Sequence, residues 1–398
     1  MQTTGKSTRK AGLLNAVREL RDLMVEFTQE LVALPTENPP GNCYPQAVEL
    51  IRRKLKALGF ADTRVVGDCV LSFAGQGDRT LYWSGHYDVV PAQSPNQFEP
   101  RIAGENLFGR GSSDMKSGLA VMMYSAKALL ECGLPGNGRI CLVFVPDEET
   151  AGPRGSRYLV EQGFIDANAI GMLTPEPTGG LVWNASRGAI TLKVSIKGKA
   201  AHVGRQHEGV NAFEQMMAVT RALQDLKREV ETRTTAFHVS PEAARRSILL
   251  IGGRSQSGTN FNVVPEEAWF TVDRRINPEE RLPEEKERLL AVFDRLRADG
   301  IDLEIQVLQE GEACGVPAGS ALEQALTRSI QKVTGKAPKV EMCPGLLETR
   351  FYAAAGIPAL AYGPGLLTVA HGPNEFVPIK RIVECAAVYA LTAADLLS

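Results

Sequence analysis

Several features that assign proteins to special classes are missing from the 398 residues of this chain. No apolar run approaches the roughly 18 residues that a membrane-spanning helix needs, so we expect no membrane partner. The formal net charge is only −2, which gives no reason to expect nucleic acid or an anionic surface as a partner. The N-terminal segment is polar and basic, and no apolar stretch follows it, so we expect no secretory signal.

Cysteine and histidine are both scarce in the chain. The seven cysteines are odd in number and form no close pairs, which indicates reduced thiols and a cytoplasmic location. Only five histidines occur, so the position of each one is informative. The composition is otherwise that of an ordinary globular protein, and the length allows a large core and two domains.

The first part of the chain contains short apolar runs at residues 80–83, 140–145 and 169–173, with helical patterns such as 117–131 between some of them. The side chains in these runs do not alternate between polar and apolar. Such runs are typical of strands that are buried on both faces, as in a parallel sheet covered by helices. The predicted fold class is therefore α/β, with a doubly wound, mostly parallel sheet.

A second style of strand begins at residue 189, where apolar and polar side chains alternate through residues 189–198 and again through 302–308. Alternation of this kind is typical of an antiparallel sheet with one exposed face. Two helical patterns lie between these strands, and the first style returns after residue 315. We therefore predict a discontinuous α/β domain, residues 1–184 and 313–398, interrupted by an inserted α+β domain with an antiparallel sheet, residues 185–312.

Five short segments place histidine or acidic side chains just after an apolar strand or in the turn that enters a helix. They contain His86 and Asp88, then Asp114 in GRGSSDMKSG, then Asp147, Glu148 and Glu149 in VPDEETAG, then Glu176 between two prolines, and finally His371. Each segment alone has an ordinary explanation, such as a turn aspartate, a helix N-terminal acid or a surface histidine. Together they indicate a site, because ligands bind beyond the carboxyl ends of the strands in an open parallel sheet.

The residue types in these segments favour metal binding. Imidazole and carboxylate without cysteine thiolate suit a divalent ion such as zinc, manganese or cobalt. The acids outnumber what one ion needs, which favours a site for two ions. Neighbouring side chains of an extended segment point apart, so Glu149 can face a cation while Glu148 faces the attacking water. We interpret Asp147 as a structural turn acid.

These segments, together with ALPTENPPG at residues 33–41, resemble the di-zinc amidohydrolases that include acetylornithine deacetylase, succinyl-diaminopimelate desuccinylase, aminoacylase and glutamate carboxypeptidase. The resemblance extends over nearly the whole chain. It implies two Zn²⁺ ions per subunit, with Co²⁺ or Mn²⁺ as alternatives, and a homodimer formed through the inserted domain, which acts as a lid. The implied metal ligands form two sets that share one residue: His86 and Glu176 for one ion, Glu149 and His371 for the other, and Asp114 for both.

The resemblance also implies roles for residues next to the metal ligands. Asp88 would orient His86. Glu148 would act as the general base, which takes a proton from the attacking water. The peptide bond between Asp114 and Met115 would be cis.

The inserted domain carries three further residues that the resemblance assigns to the substrate. His202, in AAHVG, would polarise the scissile carbonyl and would come from the partner subunit of the dimer. Asn262 would help to hold the substrate, and Arg275 would pair with the substrate carboxylate. As alternatives, Arg275 forms a surface ion pair and His202 is a turn residue after an edge strand.

One segment departs from the family pattern. Arg350 matches a substrate-binding arginine. However, Leu347 and Glu348 stand where aminoacylase-like and desuccinylase-like members carry a small hydroxyl residue and an aspartate. The specificity of the site is therefore open, both for the acyl side of the amide and for the carboxylate side.

The predicted function is metal-dependent hydrolysis of the amide bond of an N-acylated amino acid, with carboxypeptidase or dipeptidase action on a short peptide as the alternative. A non-hydrolytic binding protein would need loss of a metal ligand or of the base, and every expected position is filled. A nucleotide-dependent oxidoreductase is disfavoured, because Asp114 occupies the last position of the G-x-G-x-x-G fingerprint.

Overall fold

The computed structural model describes residues 2–134 and 136–397. Within these ranges the helices are α1 (Gln2–Glu19), α2 (Arg21–Val32), α3 (Tyr44–Ala57), α4 (Ser117–Glu131), α5 (Ser156–Glu161), α6 (Ala212–Val230), α7 (Leu282–Ala298), α8 (Ala321–Thr334), α9 (Thr349–Ala354) and α10 (Ile379–Leu396). The strands are β1 (Asp62–Val66), β2 (Cys69–Gln76), β3 (Thr80–His86), β4 (Arg101–Ala103), β5 (Asn106–Phe108), β6 (Gly138–Val145), β7 (Gly171–Thr174), β8 (Val182–Ser186), β9 (Gly188–Lys197), β10 (Ile248–Ser257), β11 (Glu267–Ile276), β12 (Leu303–Gly311), β13 (Cys314–Gly315), β14 (Val340–Cys343), β15 (Ala359–Ala361) and β16 (Phe376–Pro378). None of the described helices combines the length and the hydrophobicity that crossing a bilayer requires.

The described residues form two compact units. The first unit contains the chain up to Asn184, the segment Val316–Glu341 and the chain from Glu348 onward. The second unit contains Ala185–Gly315 and the short segment Met342–Leu347. The sequence pattern does not anticipate where this short segment lies, because so few residues show no change in the style of strand.

A mixed sheet runs through the first unit in the strand order β1-β2-β6-β3-β7-β15-β8. The central strands β6, β3, β7 and β15 are parallel, and β3 lies between β6 and β7. The chain therefore winds to both sides of β3, which confirms the predicted doubly wound sheet with a mostly parallel centre. Every residue of β3 is buried, as expected for a strand that is covered on both faces.

The flanking strands of this sheet pair in the antiparallel sense, which the apolar runs do not predict. β1 pairs with β2, and β2 pairs with β6. The connection between β1 and β2 is short and contains Gly67 at a φ of 59°, which glycine adopts without steric cost. A turn this short joins antiparallel strands, whereas parallel strands need a long crossover.

Helices of the first unit pack against the central strands and fix the loop that carries Asp114. α4 packs against β3 and β6, and α10 packs against α4 and α8. Trp83 of β3 meets Tyr389 of α10 edge to face, with the ring centroids 5.2 Å apart. Because α4 starts at Ser117, this packed layer holds the end of the loop that carries Asp114.

A small three-stranded sheet brings two distant loops of the first unit together. Its strands lie in the order β16-β5-β4, and all pairs are antiparallel. β5 leads into the loop of residues 109–114, and β16 follows the loop of residues 362–375. The Gly109 amide donates to the Glu375 carbonyl at 3.0 Å, so the two loops are adjacent where the strands end.

The second unit is built on a four-stranded antiparallel sheet in the order β10-β11-β9-β12. Residues of β11 alternate between buried and more exposed, as the sequence pattern predicts for one covered face. The buried residues Ala268, Phe270 and Val272 join a core with side chains from α6 and α7. Asn211 begins α6, and its side chain accepts hydrogen bonds from the amides of Phe213 and Glu214.

Candidate metal centre

The acidic and histidine side chains of the first unit gather at the carboxyl ends of its parallel strands. β3 ends at His86, β6 ends just before the three adjacent acids, and β7 ends just before Glu176. These strands are parallel neighbours, so their ends lie at one edge of the sheet. Two groups of possible ligands meet there, with ligand atoms within 4.8 Å of one another: His86, Asp114 and Glu176 in one, and Asp114, Glu149 and His371 in the other.

Asp114 lies between the two groups and belongs to both. Its Oδ1 is 3.3 Å from Nε2 of His86, and its Oδ2 is 3.3 Å from Nε2 of His371. Nε2 of His371 is also 3.2 Å from Oε2 of Glu149, whose Oε1 accepts a hydrogen bond from the Val90 amide. The Asp114–Met115 peptide bond is cis, as the resemblance implied. Each oxygen of one carboxylate thus faces a different half of the site.

Unsatisfied polar atoms show that the first group fits a cation. Nε2 of His86 and Oε1 of Glu176 are buried and have no hydrogen-bond partner. Buried polar atoms in proteins nearly always have one. Nδ1 of His86 lies 3.0 Å from the carbonyl oxygen of Asp88 and 3.4 Å from Oδ1 of the same residue, which leaves Nε2 to the centre. One imidazole and two carboxylates are a donor set that suits Zn²⁺.

The concentration of carboxylates at the site also favours the binding of a cation. Burial raises the pKa of Glu176 to about 8 and that of Glu148 well above its usual range. Hydrogen bonds with Asp114 and then Glu149 raise the pKa of His371 to about 10. Burial lowers the pKa of His86, but its contacts with the acidic side chains of Asp114 and Asp88 outweigh burial, so the net shift is upward. Positive charge on the imidazoles therefore offsets the crowded carboxylates, and divalent ions would take over this role.

The two halves of the centre differ in exposure. The side chain of His86 is 1% exposed and that of His371 is 49% exposed. His371 has a φ of 62°, a left-handed conformation that is uncommon for a residue with a Cβ. His371 therefore opens its half of the centre to solvent, although Glu149 in that half is mostly buried, whereas the His86 and Glu176 half is closed.

Glu148 lies beside the centre and belongs to neither group of ligands. Its Oε2 is 3.9 Å from Nε2 of His86, and its side chain is mostly buried. The amides of Glu148 and Glu149 donate to the two carboxylate oxygens of Asp88, at 3.3 Å and 3.2 Å. Asp88 therefore connects the turn that carries both glutamates to the strand end that carries His86.

Asn38 is a supporting residue that the sequence reasoning missed. Its Nδ2 lies 2.9 Å from Oδ2 of Asp88 and 3.2 Å from Oδ1 of Asp147. Asp147 has a φ of 72°, and its Oδ2 accepts a hydrogen bond from the Arg154 amide at 3.2 Å. These contacts place Asp147 in the turn and outside both ligand groups. The sequence signal for Asn38 was its place in the ALPTENPPG segment.

Two more residues that the sequence reasoning missed are Arg110 and Glu375, which form a buried ion pair with Nη1 and Oε2 2.5 Å apart. Arg110 lies in the GRGSSDMKSG segment and Glu375 lies four residues after His371, yet neither is a candidate ligand.

In the segment that departs from the family pattern, Glu348 and Arg350 lie in the first unit, whereas Leu347 belongs to the second. Glu348 is buried, and its Oε2 has no hydrogen-bond partner. Burial raises the pKa of Glu348, and Arg350 opposes that rise. Arg350 is buried as well, with its guanidinium 4.2 Å from the centroid of the Phe351 ring.

The second unit brings two of its three candidates together. His202 pairs with Val263 in an isolated β-bridge, and the Val203 amide donates to the Asn262 carbonyl at 3.0 Å. His202 is exposed, and its Nδ1 accepts a hydrogen bond from the Gly204 amide. Arg275 lies near the far end of β11, where its Nε is 3.0 Å from Asp273. His202 and Asn262 therefore share one end of the sheet, and Arg275 lies at the other.

Solved structures show the same fold at low sequence identity. An M20 family metallo-carboxypeptidase, Sso-CP2 from Sulfolobus solfataricus, aligns with a TM-score of 0.78 and 17% identity over 94% of this chain and 99% of that one. The di-peptidase Dug1p from Saccharomyces cerevisiae aligns with a TM-score of 0.76 and 16% identity over 97% and 98%. YXEP from Bacillus subtilis, described as a dinuclear metal binding peptidase, aligns with a TM-score of 0.67 and 16% identity over 96% and 99%.

The family itself is shown by sequence. The pattern that defines peptidase family M20/M25/M40 matches residues 82–395, which include every candidate residue in the two groups of ligands. This match confirms the predicted family resemblance. The chain therefore belongs to peptidase family M20/M25/M40, and it is a metal-dependent hydrolase that acts on amide bonds.

Proposed function

We propose that this hydrolase cleaves the amide bond of an N-acylated amino acid with two Zn²⁺ ions per subunit, for which Co²⁺ or Mn²⁺ are alternatives. The observation that carries the proposal is the paired ligand groups that share Asp114, with Glu148 beside them and outside both. His86 and Glu176 would hold one ion, and Glu149 and His371 would hold the other. When bound, divalent ions supply Lewis-acid charge that lowers the pKa of water and polarises a carbonyl oxygen.

Glu148 is proposed to move the proton. Its carboxylate would take a proton from the attacking water and give it to the leaving nitrogen. A carboxyl group does this best when its pKa lies nearer to neutrality than usual, and burial raises the pKa of Glu148 in this direction. Asp88 would orient His86. Through the two amide hydrogen bonds, it would also fix the backbone of Glu148 and Glu149 beside the centre.

The second unit is proposed to bind substrate as part of a homodimer. β11 runs from Glu267 to Ile276, a length of about 30 Å at roughly 3.3 Å per residue. His202 lies beyond the first end and Arg275 near the second. A dipeptide extends over about 7 Å, so His202 and Arg275 of one subunit do not reach the same small substrate. If both contact it, they belong to different subunits.

Surface features of the second unit support pairing with another copy. β10 is an edge strand, and its Ile248 and Leu250 are exposed. Phe213 and Met217 of α6 are exposed as well. Apolar side chains on an edge strand and on a helix of the same unit suit an interface. In the dimer, His202 would donate to the developing oxyanion, Arg275 would bind the substrate carboxylate, and Asn262 would help to hold the substrate.

The main alternative is a carboxypeptidase or dipeptidase with the same chemistry. Two observations favour it. Sso-CP2 is described as a metallo-carboxypeptidase and Dug1p as a di-peptidase. In addition, Glu348 is a buried acid with an unsatisfied oxygen, and its charge adds to the burial that raises the pKa of Glu148. An acid in this position suits a substrate with a free ammonium group better than an N-acyl group, whereas Arg350 suits a carboxylate.

A cytoplasmic location remains our proposal on the grounds of redox chemistry. Five of the cysteines, Cys43, Cys69, Cys132, Cys141 and Cys385, are free thiols. Free thiols in this number are typical of a reducing compartment.

A kinetic panel tests the proposed function. The purified chain, stripped of metal and reloaded with Zn²⁺, is assayed for amine release from N-acetyl and N-succinyl amino acids, N-aroyl glutamates and dipeptides. We expect the highest kcat/KM on an N-acyl amino acid and none in the metal-stripped sample. A clear preference for dipeptides would replace the proposal with the alternative, and full activity without metal would overturn both.

A further inference from the structure

The ion pair of Arg110 and Glu375 is deeply buried in the first unit. Arg110 is 1% exposed and Glu375 is 2% exposed. Burying two charges carries a desolvation penalty, so the arrangement needs a reason beyond stability. Neither side chain belongs to a ligand group, and neither has a part in the proposed proton transfer. The contacts of the ion pair indicate that it holds the backbone of the ligand loops in place.

The pair joins the two loops that carry Asp114 and His371. Oε1 of Glu375 accepts hydrogen bonds from the amides of Ser113 and Asp114, both at 3.0 Å. Nη1 of Arg110 donates to Oε2 of Glu375, and Nη2 of Arg110 donates to the carbonyl oxygen of His371 at 3.1 Å. One connected set of charged hydrogen bonds therefore spans from the backbone of Asp114 to the backbone of His371.

Both ligands need such support because their backbones are irregular. Asp114 has a φ of −121° and a ψ of 99° just before α4, so helical hydrogen bonds do not hold it. His371 has a positive φ of 62° in a loop, a conformation with a steric penalty for residues other than glycine. The neighbouring loop adds one more contact, from Nε2 of Gln97 to the Gly372 carbonyl at 3.0 Å.

We propose that Arg110 and Glu375 are positioning residues that set the separation between Asp114 and His371, and thereby the affinity of the solvent-facing half of the centre for its cation. This inference rests on the proposed two-metal function. Residues that orient ligands in this way typically contribute 10–100-fold to metal affinity. The closed half shares Asp114, but Asp88 holds its His86 and two prolines flank its Glu176, so its affinity should change less.

Cobalt titration of the metal-stripped chain tests the proposal, because bound Co²⁺ has a visible spectrum that reports ligand geometry. In wild type we expect two Co²⁺ ions per chain. In Glu375→Gln we expect about 10–100-fold weaker binding of one of them, with an altered visible spectrum, and nearly unchanged binding of the other. Arg110→Lys keeps the charge but lacks the fork that reaches both Glu375 and His371, so it should show the same change to a smaller degree.

A core variant provides the control for a general loss of stability. Leu129→Ala in α4 removes a fully buried side chain that lies about 18 Å along the helix from Ser117 at about 1.5 Å per residue. It should lower the melting temperature without changing either Co²⁺ affinity or the spectrum. If Glu375→Gln and Arg110→Lys behave like Leu129→Ala, the pair is merely structural and the proposal is wrong.

The failure of this proposal is distinguishable from failure of the proposed function. Wild type that binds two Co²⁺ ions but cleaves none of the panel substrates would overturn the proposed activity and leave the positioning role supported by the variants. Wild type that binds fewer than two ions would overturn the two-metal site and the positioning role with it. If Glu375→Gln fails to fold, Arg110→Lys alone decides between the two outcomes.

Discussion

The two units hold their candidate residues in opposite ways. In the first unit, His86, Asp114 and Glu176 are buried. The Asp88 carbonyl lies against the His86 ring, and the Glu375 carboxylate accepts from the Asp114 amide. In the second unit, His202 is exposed on a bridge at the end of the sheet, and Arg275 lies at the other end beside Asp273. The first set gathers within its unit, whereas we propose that the second set acts together with residues of a partner subunit.

This difference indicates that mutations in the two units should affect metal binding and turnover differently. A preorganised group of ligands determines whether metal binds, and the residues around it determine what the metal does. We therefore expect changes at first-unit ligands to alter metal content and turnover together. Changes in the second unit should alter turnover alone. The predictions below are ordered by the size of the expected effect.

Glu148→Gln is the sharpest test inside the first unit, because Glu148 lies beside the centre and outside both groups of candidate ligands. The amide has nearly the same shape but takes up no proton, so we expect kcat to fall by about 10³-fold. Metal content, measured by elemental analysis, should stay at the wild-type level. Turnover within a few-fold of wild type would show that Glu148 is not the base, and loss of metal would show that it is a ligand.

His202→Ala tests whether the second unit contributes to the reaction. Loss of one donor to an oxyanion typically lowers kcat by about 10²–10³-fold, and metal content should not change. His207→Ala is the matched control, since His207 lies in the same segment with a side chain that is 75% exposed. Equal activities of the two variants would remove His202 from the mechanism.

Mixing inactive subunits tests whether His202 acts across a dimer. When Glu148→Gln and His202→Ala proteins are mixed and allowed to exchange, a mixed dimer has one site with both Glu148 and the partner's His202 intact. About one quarter of wild-type activity should return if His202 acts in trans. No recovery, with exchange confirmed by differently tagged chains, would mean that each subunit uses its own His202.

Arg275→Lys should have a smaller effect, confined to substrate binding. Lysine keeps the charge but loses the fork that binds a carboxylate through two hydrogen bonds, so KM should rise about 10-fold with little change in kcat. Arg281→Lys is a suitable control, because Arg281 is exposed in the same unit and pairs with Glu284. An unchanged KM on a substrate with a free carboxylate would leave Arg275 as a surface ion pair.

Removal of metal by a chelator should have the smallest effect, and that effect should be on the thermal stability of the first unit alone. Removing divalent ions leaves Nε2 of His86 and Oε1 of Glu176 unsatisfied, so the first unit should melt about 5–10 °C lower. The second unit contains no described ligand group and should not respond. Calorimetry with and without chelator measures this, and equal shifts in both units would contradict the comparison.

The sequence predicts the architecture of the molecule where signals are local. Apolar runs without alternation indicate the parallel centre, and alternation indicates the antiparallel sheet, because each pattern reflects how many faces of a strand are covered. The antiparallel pairing of β1 and β2 escapes prediction, since β1 is mostly exposed and has no apolar face to reveal it. The segment Met342–Leu347 escapes because it is too short for any pattern.

The same contrast applies to the site. Strand ends bearing acid or histidine are visible in sequence, and the structure brings these side chains together. The supporting contacts are not visible. Asn38 and Asp88 are 50 residues apart, and Arg110 and Glu375 are 265 residues apart. Pairings at such separations depend on how the strands and loops are arranged in space, which no local pattern encodes.

The length of β11 has a consequence for how the protein should be handled. If His202 and Arg275 contact one substrate only from two different subunits, then activity requires a dimer. Each chain then contributes Arg275 to one active site and His202 to the other. Specific activity should then fall on dilution below the dissociation constant of the dimer, while each chain stays folded and loaded with metal. An excess of catalytically inactive Glu148→Gln chains should restore it. Protein concentration would then govern turnover alongside substrate and metal.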